Sequence, residues 1–181
     1  MEIKKTIFKN LLEIKIQKHN DMRGSFIKIF NKANSKKFKN ECYESYISKS
    51  KKGVVRGLHT QSGKYAQDKL IYCIKGKLLD IAIDIRKNSK TFGKYYKVIL
   101  SDKNNLGLYI PKGFAHAYYS YEKENIIYYK LNNYYQPKYE DGINVMDKKL
   151  NIKWPSKKFL ISRKDKNLGT LEDFKKKYKK L

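Results

Sequence analysis

Between Val54 and Lys69 the chain concentrates side chains suited to proton transfer and ionic contact. The run Val54-Val55-Arg56-Gly57-Leu58-His59-Thr60-Gln61 sets a histidine in an apolar, β-branched stretch, and Lys69 follows eight residues after Gln61. In an extended strand alternate residues share a face, so Gly57, His59 and Gln61 fall on one side and Leu58 and Thr60 on the other. Arg56 breaks that parity, but a glycine after it can bulge the strand and re-aim its neighbour. A histidine titrates near neutral pH and so can take and return a proton. The plain alternative is a hydrogen-bonded core histidine.

The surrounding pattern says what must position these residues. From Gly53 to Leu131 it is almost wholly β, with strands expected at 69–75, 77–85, 94–100, 106–110, 114–121 and 125–131. Pro111-Lys112-Gly113 stops one of them, and Gly76 turns the first pair into a hairpin. Within that hairpin Ile81, Ile83 and Ile85 alternate with Asp80, Ala82 and Asp84, which predicts one dry face. Strands are also expected at 41–48 and after the turn Asp21-Met22-Arg23-Gly24, which leads into the apolar run Phe26 to Phe30. Asn31 to Asn40 has apolar surface for no more than a short exposed helix. Leu171, Phe174, Tyr178 and Leu181 recur at helical spacing, so Thr170 to Leu181 reads as an amphipathic helix with Thr170 as its N-cap. Short strands punctuated by Gly and Pro argue for a mainly β protein, an antiparallel sandwich or jelly-roll barrel with a short C-terminal helical segment.

A length of 181 residues suits one domain. We divide it into N-terminal strands and arm (1–52), a β core (53–155) and a helical tail (156–181), without repeats or linker. No apolar run is long enough to span a membrane. Met1 to Asn10 carries lysines without a secretory h-region, so a soluble, cytoplasmic protein is expected. Cys42 and Cys73 show no metal or disulfide spacing and are expected to be buried and inert. The net charge of +25 invites a nucleic-acid reading. Its lysines are spread over nearly the whole chain alongside heavy use of Asn, Ile and Tyr, a pattern of composition that argues against a nucleic-acid partner. A metal-dependent enzyme needs several converging ligands, and only His19, His59 and His116 are available, with no His-x-His pair.

The order of motifs resembles the dTDP-4-dehydrorhamnose 3,5-epimerase family of nucleotide-sugar epimerases. The similarity runs through Arg23-Gly24 and Phe26; Val55-Arg56-Gly57-Leu58-His59 with Gln61; Lys69-Leu70; Asp80 to Arg86; Thr91-Phe92-Gly93; Ile110-Pro111; Gly113-Phe114-Ala115-His116; Tyr129-Lys130; Tyr134-Tyr135 and Pro137; Trp154-Pro155; and Ser162 with Asp165. It implies a cupin-like jelly roll that works as a homodimer, with the N-terminal segment completing the neighbour's site by strand exchange. The implied substrate is a nucleotide-diphosphate 4-keto sugar, such as one made for a bacterial surface polysaccharide. Neither metal nor redox cofactor is implied.

By this resemblance His59 is the base and Asp165 its partner, Lys69 stabilises the enolate, and Tyr129 is the acid on the opposite face. Arg23 and Arg56 suit the diphosphate and sugar, because guanidinium forks match phosphate oxygens. Phe26, Gln61, His116 and Tyr134 are further expected substrate contacts. Lys28, Glu44 and Tyr46 depart from the residues of the thymidine-using enzymes. A carboxylate at Glu44 can accept guanine N–H groups and an ammonium at Lys28 can meet a guanine carbonyl, whereas an ammonium cannot accept from thymine. These three departures favour a GDP-linked 4-keto-6-deoxyheptose over the dTDP-linked hexose of the namesake enzymes.

Overall fold

A computed structural model of the protein describes residues 2–30 and 42–179. The Asn31 to Asn40 segment, and Leu181 of the expected C-terminal helix, lie outside those residues. The described strands are β1 (Glu2–Lys5), β2 (Leu12–Lys15), β3 (Lys18–Asp21), β4 (Gly24–Ile27), β5 (Glu44–Ser50), β6 (Val55–Gln61), β7 (Lys69–Lys75), β8 (Lys77–Asp84), β9 (Tyr95–Ser101), β10 (Leu106–Ile110), β11 (Phe114–Ser120), β12 (Asn125–Leu131) and β13 (Glu140–Gly142). Two short helices follow, α1 (Arg163–Lys166) and α2 (Leu171–Lys179). The expected strands of the 69–131 region are all present, with ends shifted by a residue at most.

Two antiparallel sheets face each other as a cupin-like jelly roll. One has the order β1-β2-β10-β7-β12-β5 and the other β13-β6-β11-β8-β9. Their shared interior holds Ile71, Leu108, Ile127 and Tyr129 from the first sheet and Leu78, Ala82, Phe114 and Tyr118 from the second. Burying each such aliphatic side chain is worth about 1.5–3 kcal/mol. The second sheet is covered again on its outer face, where Leu79, Ile81, Ile83, Ala115 and Ala117 pack against Ile143, Val145, Leu150 and Phe174 of the later chain.

The hairpin expectation fails on both counts: β7 and β8 do not pair across Gly76 but enter different sheets, and the second cover leaves β8 no wet face. Every residue of β8 from Leu78 to Asp84 is buried, and Asp80, Ala82 and Asp84 are fully so. The polar face of the strand points into the barrel, where its carboxylates are bonded: Asp80 to His116, Asp84 to Arg86, Ser89 and Thr91. The cysteine expectation holds for Cys73, which is buried, and fails for Cys42, which is exposed. Thr170 caps α2 as expected, accepting the Asp173 N–H at 3.1 Å while Asp173 accepts the Thr170 N–H at 2.9 Å, a reciprocal pair that satisfies two helix-end donors.

β3 and β4 form a separate two-stranded sheet, and all eight of their residues are exposed. Its turn is fixed by Asp21, whose Oδ1 accepts the Arg23 N–H at 2.8 Å. No helix of the described residues is long and apolar enough to cross a membrane.

Candidate active site

The barrel opens on a cavity of about 510 Å³ lined by strands of both sheets: Glu44 and Tyr46 of β5, His59 and Gln61 of β6, Lys69 of β7, Leu131 of β12, Glu140 of β13, and Tyr135. A wider cleft of about 920 Å³ at the β7–β8 and β11–β12 turns holds none of the expected site residues.

His59 is brought to the cavity by an irregular strand. β6 pairs with β11 with a register shift between His116 and Tyr118, and Gly57 adopts φ +118° there. A Cβ on Gly57 would lie 2.4 Å from the His116 carbonyl and 2.6 Å from the Ala117 Cβ, so only glycine fits. This is the bulge anticipated from Arg56-Gly57. Asp165 reaches the same place from α1, where Ser162 caps the helix by accepting the Asp165 N–H at 3.0 Å. One oxygen of Asp165 accepts the Gly57 N–H at 3.0 Å, and the other lies 2.9 Å from His59 Nε2. Burial alone would raise the Asp165 carboxyl, but the bonds to His59 and Gly57 outweigh it and hold the group below its usual range. An ionised Asp165 on Nε2 fixes the ring and leaves Nδ1 to exchange a proton.

Lys69 donates to the His59 carbonyl at 3.4 Å. Burial depresses its ammonium to about 8, while Glu140 and Asp80 work against that fall. It is therefore a cation at neutral pH with little charge to spare. Tyr129 is 5% exposed, stacked on Tyr46 with ring centroids 4.9 Å apart and edge-on to His116. Burial first, then Tyr118 and Asp80, push its phenol well above the ordinary value, with Arg56 opposing. Such a phenol keeps its proton until a strong base asks for it. A base, a cation and a protonated acid on the strands of one barrel can remove a proton beside a carbonyl, hold the enolate and return a proton.

Other expected residues divide into those at the cavity and those elsewhere. Gln61 lines it, yet its amide is committed to backbone: Nε2 donates to the Tyr65 and Tyr134 carbonyls, and Oε1 accepts from Gln136 N–H at 2.6 Å. His116 is the register partner of His59 but is 5% exposed and bonded to Asp80 at 2.9 Å, so it backs Tyr129 instead of lining the opening. Arg56 donates to Ser50 and to the Lys49 carbonyl. Tyr134 packs on Tyr43, and its neighbour Tyr135 lines the cavity in its place. Arg23, Phe26 and Lys28 sit on or beside the exposed β3–β4 hairpin, outside the cavity of their own chain. Sequence reasoning missed Glu140, because a carboxylate in Tyr139-Glu140-Asp141-Gly142 reads as turn chemistry; its signal was β13, too short to recognise. Among the described residues no three His, Cys, Asp or Glu side chains come together as a metal site.

A cupin-type jelly roll carrying a His–Asp pair, a buried cation and a buried phenol defines the class: an acid–base isomerase built in a β barrel. The chain belongs to the dTDP-4-dehydrorhamnose 3,5-epimerase family, whose profile matches residues 5–173. It is 42% identical to the dTDP-4-dehydrorhamnose 3,5-epimerase of Shigella flexneri over 92% of this chain and 94% of that one. Among solved structures, the enzyme of the same name from Elizabethkingia anophelis NUHP1 superposes with a TM-score of 0.89 at 36% identity, covering 96% of this chain and 97% of that one. The dTDP-6-deoxy-D-glucose-3,5-epimerase of Legionella pneumophila, in complex with dTDP-4-keto-L-rhamnose, gives a TM-score of 0.90 at 35% identity, covering 94% of this chain and 93% of that one. The protein is thus a carbohydrate epimerase of the nucleotide-sugar class.

These relatives are named for thymidine nucleotides, which leaves the guanine expectation without support. Within one chain two of the three departures are already engaged: Glu44 accepts the Tyr135 N–H at 2.9 Å and the Tyr46 ring stacks on Tyr129.

Proposed function

We propose that the protein inverts C3 and C5 of a dTDP-linked 4-keto-6-deoxy sugar. The observation that carries this is the His59–Asp165 pair at 2.9 Å, opening on the cavity that also holds Lys69. Hydrogens on the carbons flanking a C4 ketone are weakly acidic. His59 takes one, and the electron pair moves to the ketone oxygen, where the Lys69 ammonium meets the charge in a site shielded from water. Tyr129 gives a proton to the same carbon from the opposite face. That protonation draws the electron pair back from oxygen and restores the ketone; once His59 has released its proton to solvent and Tyr129 has regained one, the same groups serve the second carbon as the sugar presents it. The names of the relatives support the thymidine nucleotide and the two positions.

Arg23 and Phe26 fit this scheme as groups donated to a second copy. A separate, exposed hairpin that bears a cation and an aromatic ring without packing them in its own chain supports a homodimer with exchanged arms.

Incubation with the dTDP-4-keto-6-deoxy sugar in heavy water should place deuterium at C3 and C5; absence of exchange at both carbons would overturn the reading. Titration of dTDP, UDP, CDP and GDP at one salt concentration cancels the shared diphosphate attraction. The tightest binding is expected for dTDP, and tighter GDP binding would reverse the choice of nucleotide. Tyr129→Phe should retain solvent exchange while inverted product falls; equal loss of both would make Tyr129 a positioning residue.

A further inference from the structure

We infer that Glu140 is a positioning residue of this site: it clamps Tyr135 at the cavity wall and supplies the countercharge that keeps Lys69 a cation. The inference rests on the reading of Lys69 as the enolate stabiliser. β13, which carries Glu140, pairs with β6 in the register Glu140↔Gln61, Asp141↔Thr60 and Gly142↔His59. The approach is set by Gly142, where a Cβ would lie 2.1 Å from the Leu58 carbonyl oxygen, so the chain can carry only glycine there. Glu140 is thereby tied to the strand of the base.

Its carboxylate is held on one side only. Oε2 accepts the Tyr135 hydroxyl at 2.5 Å and the Lys164 ammonium at 2.5 Å, whereas Oε1 has no partner among the described residues. The side chain is 14% exposed and lines the cavity with His59 and Lys69. Lys164 is the neighbour of Asp165 on α1, so one short helix docks a carboxylate on His59 and an ammonium on Glu140. Opposite charges on adjacent residues of α1 therefore address neighbouring strands, β6 and β13, at one wall of the cavity.

The charged and titratable groups around Lys69 are His59 from β6, Asp80 from β8, Glu44 and Tyr46 from β5, and Glu140 from β13. Asp80 is bonded to His116 and Glu44 accepts from Tyr135 N–H. Burial pulls the Lys69 ammonium down to about 8, and Glu140 stands ahead of Asp80 among the groups that resist it. A counter-ion lost from a buried cation lowers its proton affinity further, so removing the Glu140 charge should neutralise Lys69 at a lower pH.

The test uses the full chain without substrate, following the pH dependence of Lys69 labelling by an amine-reactive reagent, read by peptide mass spectrometry. The wild-type midpoint is expected near 8. In Glu140→Gln, which keeps the shape and drops the charge, it should fall by about one pH unit. Glu140→Asp should restore most of the shift, and Tyr135→Phe should leave the midpoint in place. The alkaline limb of turnover should move with the labelling midpoint. A Glu140→Gln midpoint equal to wild type would overturn the inference, and so would an equal shift in Tyr135→Phe. Should Glu140→Gln fail to fold, Glu140→Ala takes its place under the same criteria. A shifted midpoint in a protein that shows no solvent exchange with a 4-keto sugar would sustain the countercharge and reject the reaction instead.

Discussion

The barrel and the β3–β4 hairpin obey opposite rules. In the barrel every residue of β11 is buried, and a carboxylate such as Asp84 is held there by Arg86, Ser89 and Thr91. In the hairpin Phe26 is 62% exposed and the Arg23 side chain 86% exposed, with its bonds among the described residues running to Asp21 two residues away. Burial fixes a side chain's place by energy, so the barrel, with Asp165 docked from α1, sets the positions of His59, Lys69 and Tyr129 within one chain. Exposure leaves an aromatic ring and a guanidinium with nothing in their own chain to define their role. A site built across these regions has its chemistry in one and its recognition in the other.

The largest effect should come from within the barrel. His59→Asn removes the base and should lower solvent exchange at both carbons by about a thousandfold or more, toward the upper range of general-base contributions, with the thermal midpoint little changed. Retention of exchange at either carbon would assign the base elsewhere.

A smaller effect should come from the hairpin. Replacing Arg23 and Phe26 by alanine should lower turnover about ten- to a hundredfold, since a hydrogen bond to a charged group is worth about 1.5–3 kcal/mol. The thermal midpoint should hold, because exposed substitutions usually cost within about 0.5 kcal/mol. Mixing this variant with His59→Asn chains sharpens the contrast: in an exchanged dimer the intact base of one chain meets the intact arm of the other, and activity returns. Two inactive proteins that stay inactive after mixing and subunit exchange would confine each site to one chain.

The smallest effect is on stability. Burial alone would raise the Asp84 carboxyl, but Arg86, Ser89 and Thr91 hold it at about 2. Its folded value lies below the unfolded one, so its contribution is complete above about 4 and is lost as the pH falls through about 2. Asp84→Asn should therefore cost roughly 2 kcal/mol in urea unfolding at neutral pH, and the difference from wild type should vanish in strong acid. A pH-independent difference would assign the cost to packing.

What the sequence made legible follows the same divide. Strand positions from 69 to 131 could be read because alternation and Gly/Pro punctuation are local signals. The outer cover on β8 could not, because it comes from Ile143 to Phe174, and alternation does not say whether the polar face will meet water or a second sheet. His59 and Asp165 were singled out together by motif, and the structure brings them into contact; that bond depends on the bulge at Gly57 and the cap at Ser162. His116 and Gln61 read as substrate contacts lining the pocket; Gln61 does line it but spends its amide on backbone, and His116 is buried on Asp80 behind the opening. The guanine reading rested on Lys28, Glu44 and Tyr46 as residue types, and it finds no support in relatives named for thymidine nucleotides; residue type does not show that Glu44 and Tyr46 are already engaged by Tyr135 and Tyr129.

The pairing of Asp165 with His59 spans 106 residues. Closing a loop of that length costs little more free energy than closing a short one, because the entropy grows only with the logarithm of length, yet it orders events in time. During synthesis all the strands of the barrel emerge before the aspartate does. A nascent chain can therefore hold a folded cavity whose histidine has no fixed tautomer, and competence arrives with the docking of one short helix. The same separation makes the stretch between β13 and Ser162 a tether: a single cut there would spare the barrel's strands and leave His59 and its carboxylate partner on separate pieces of chain.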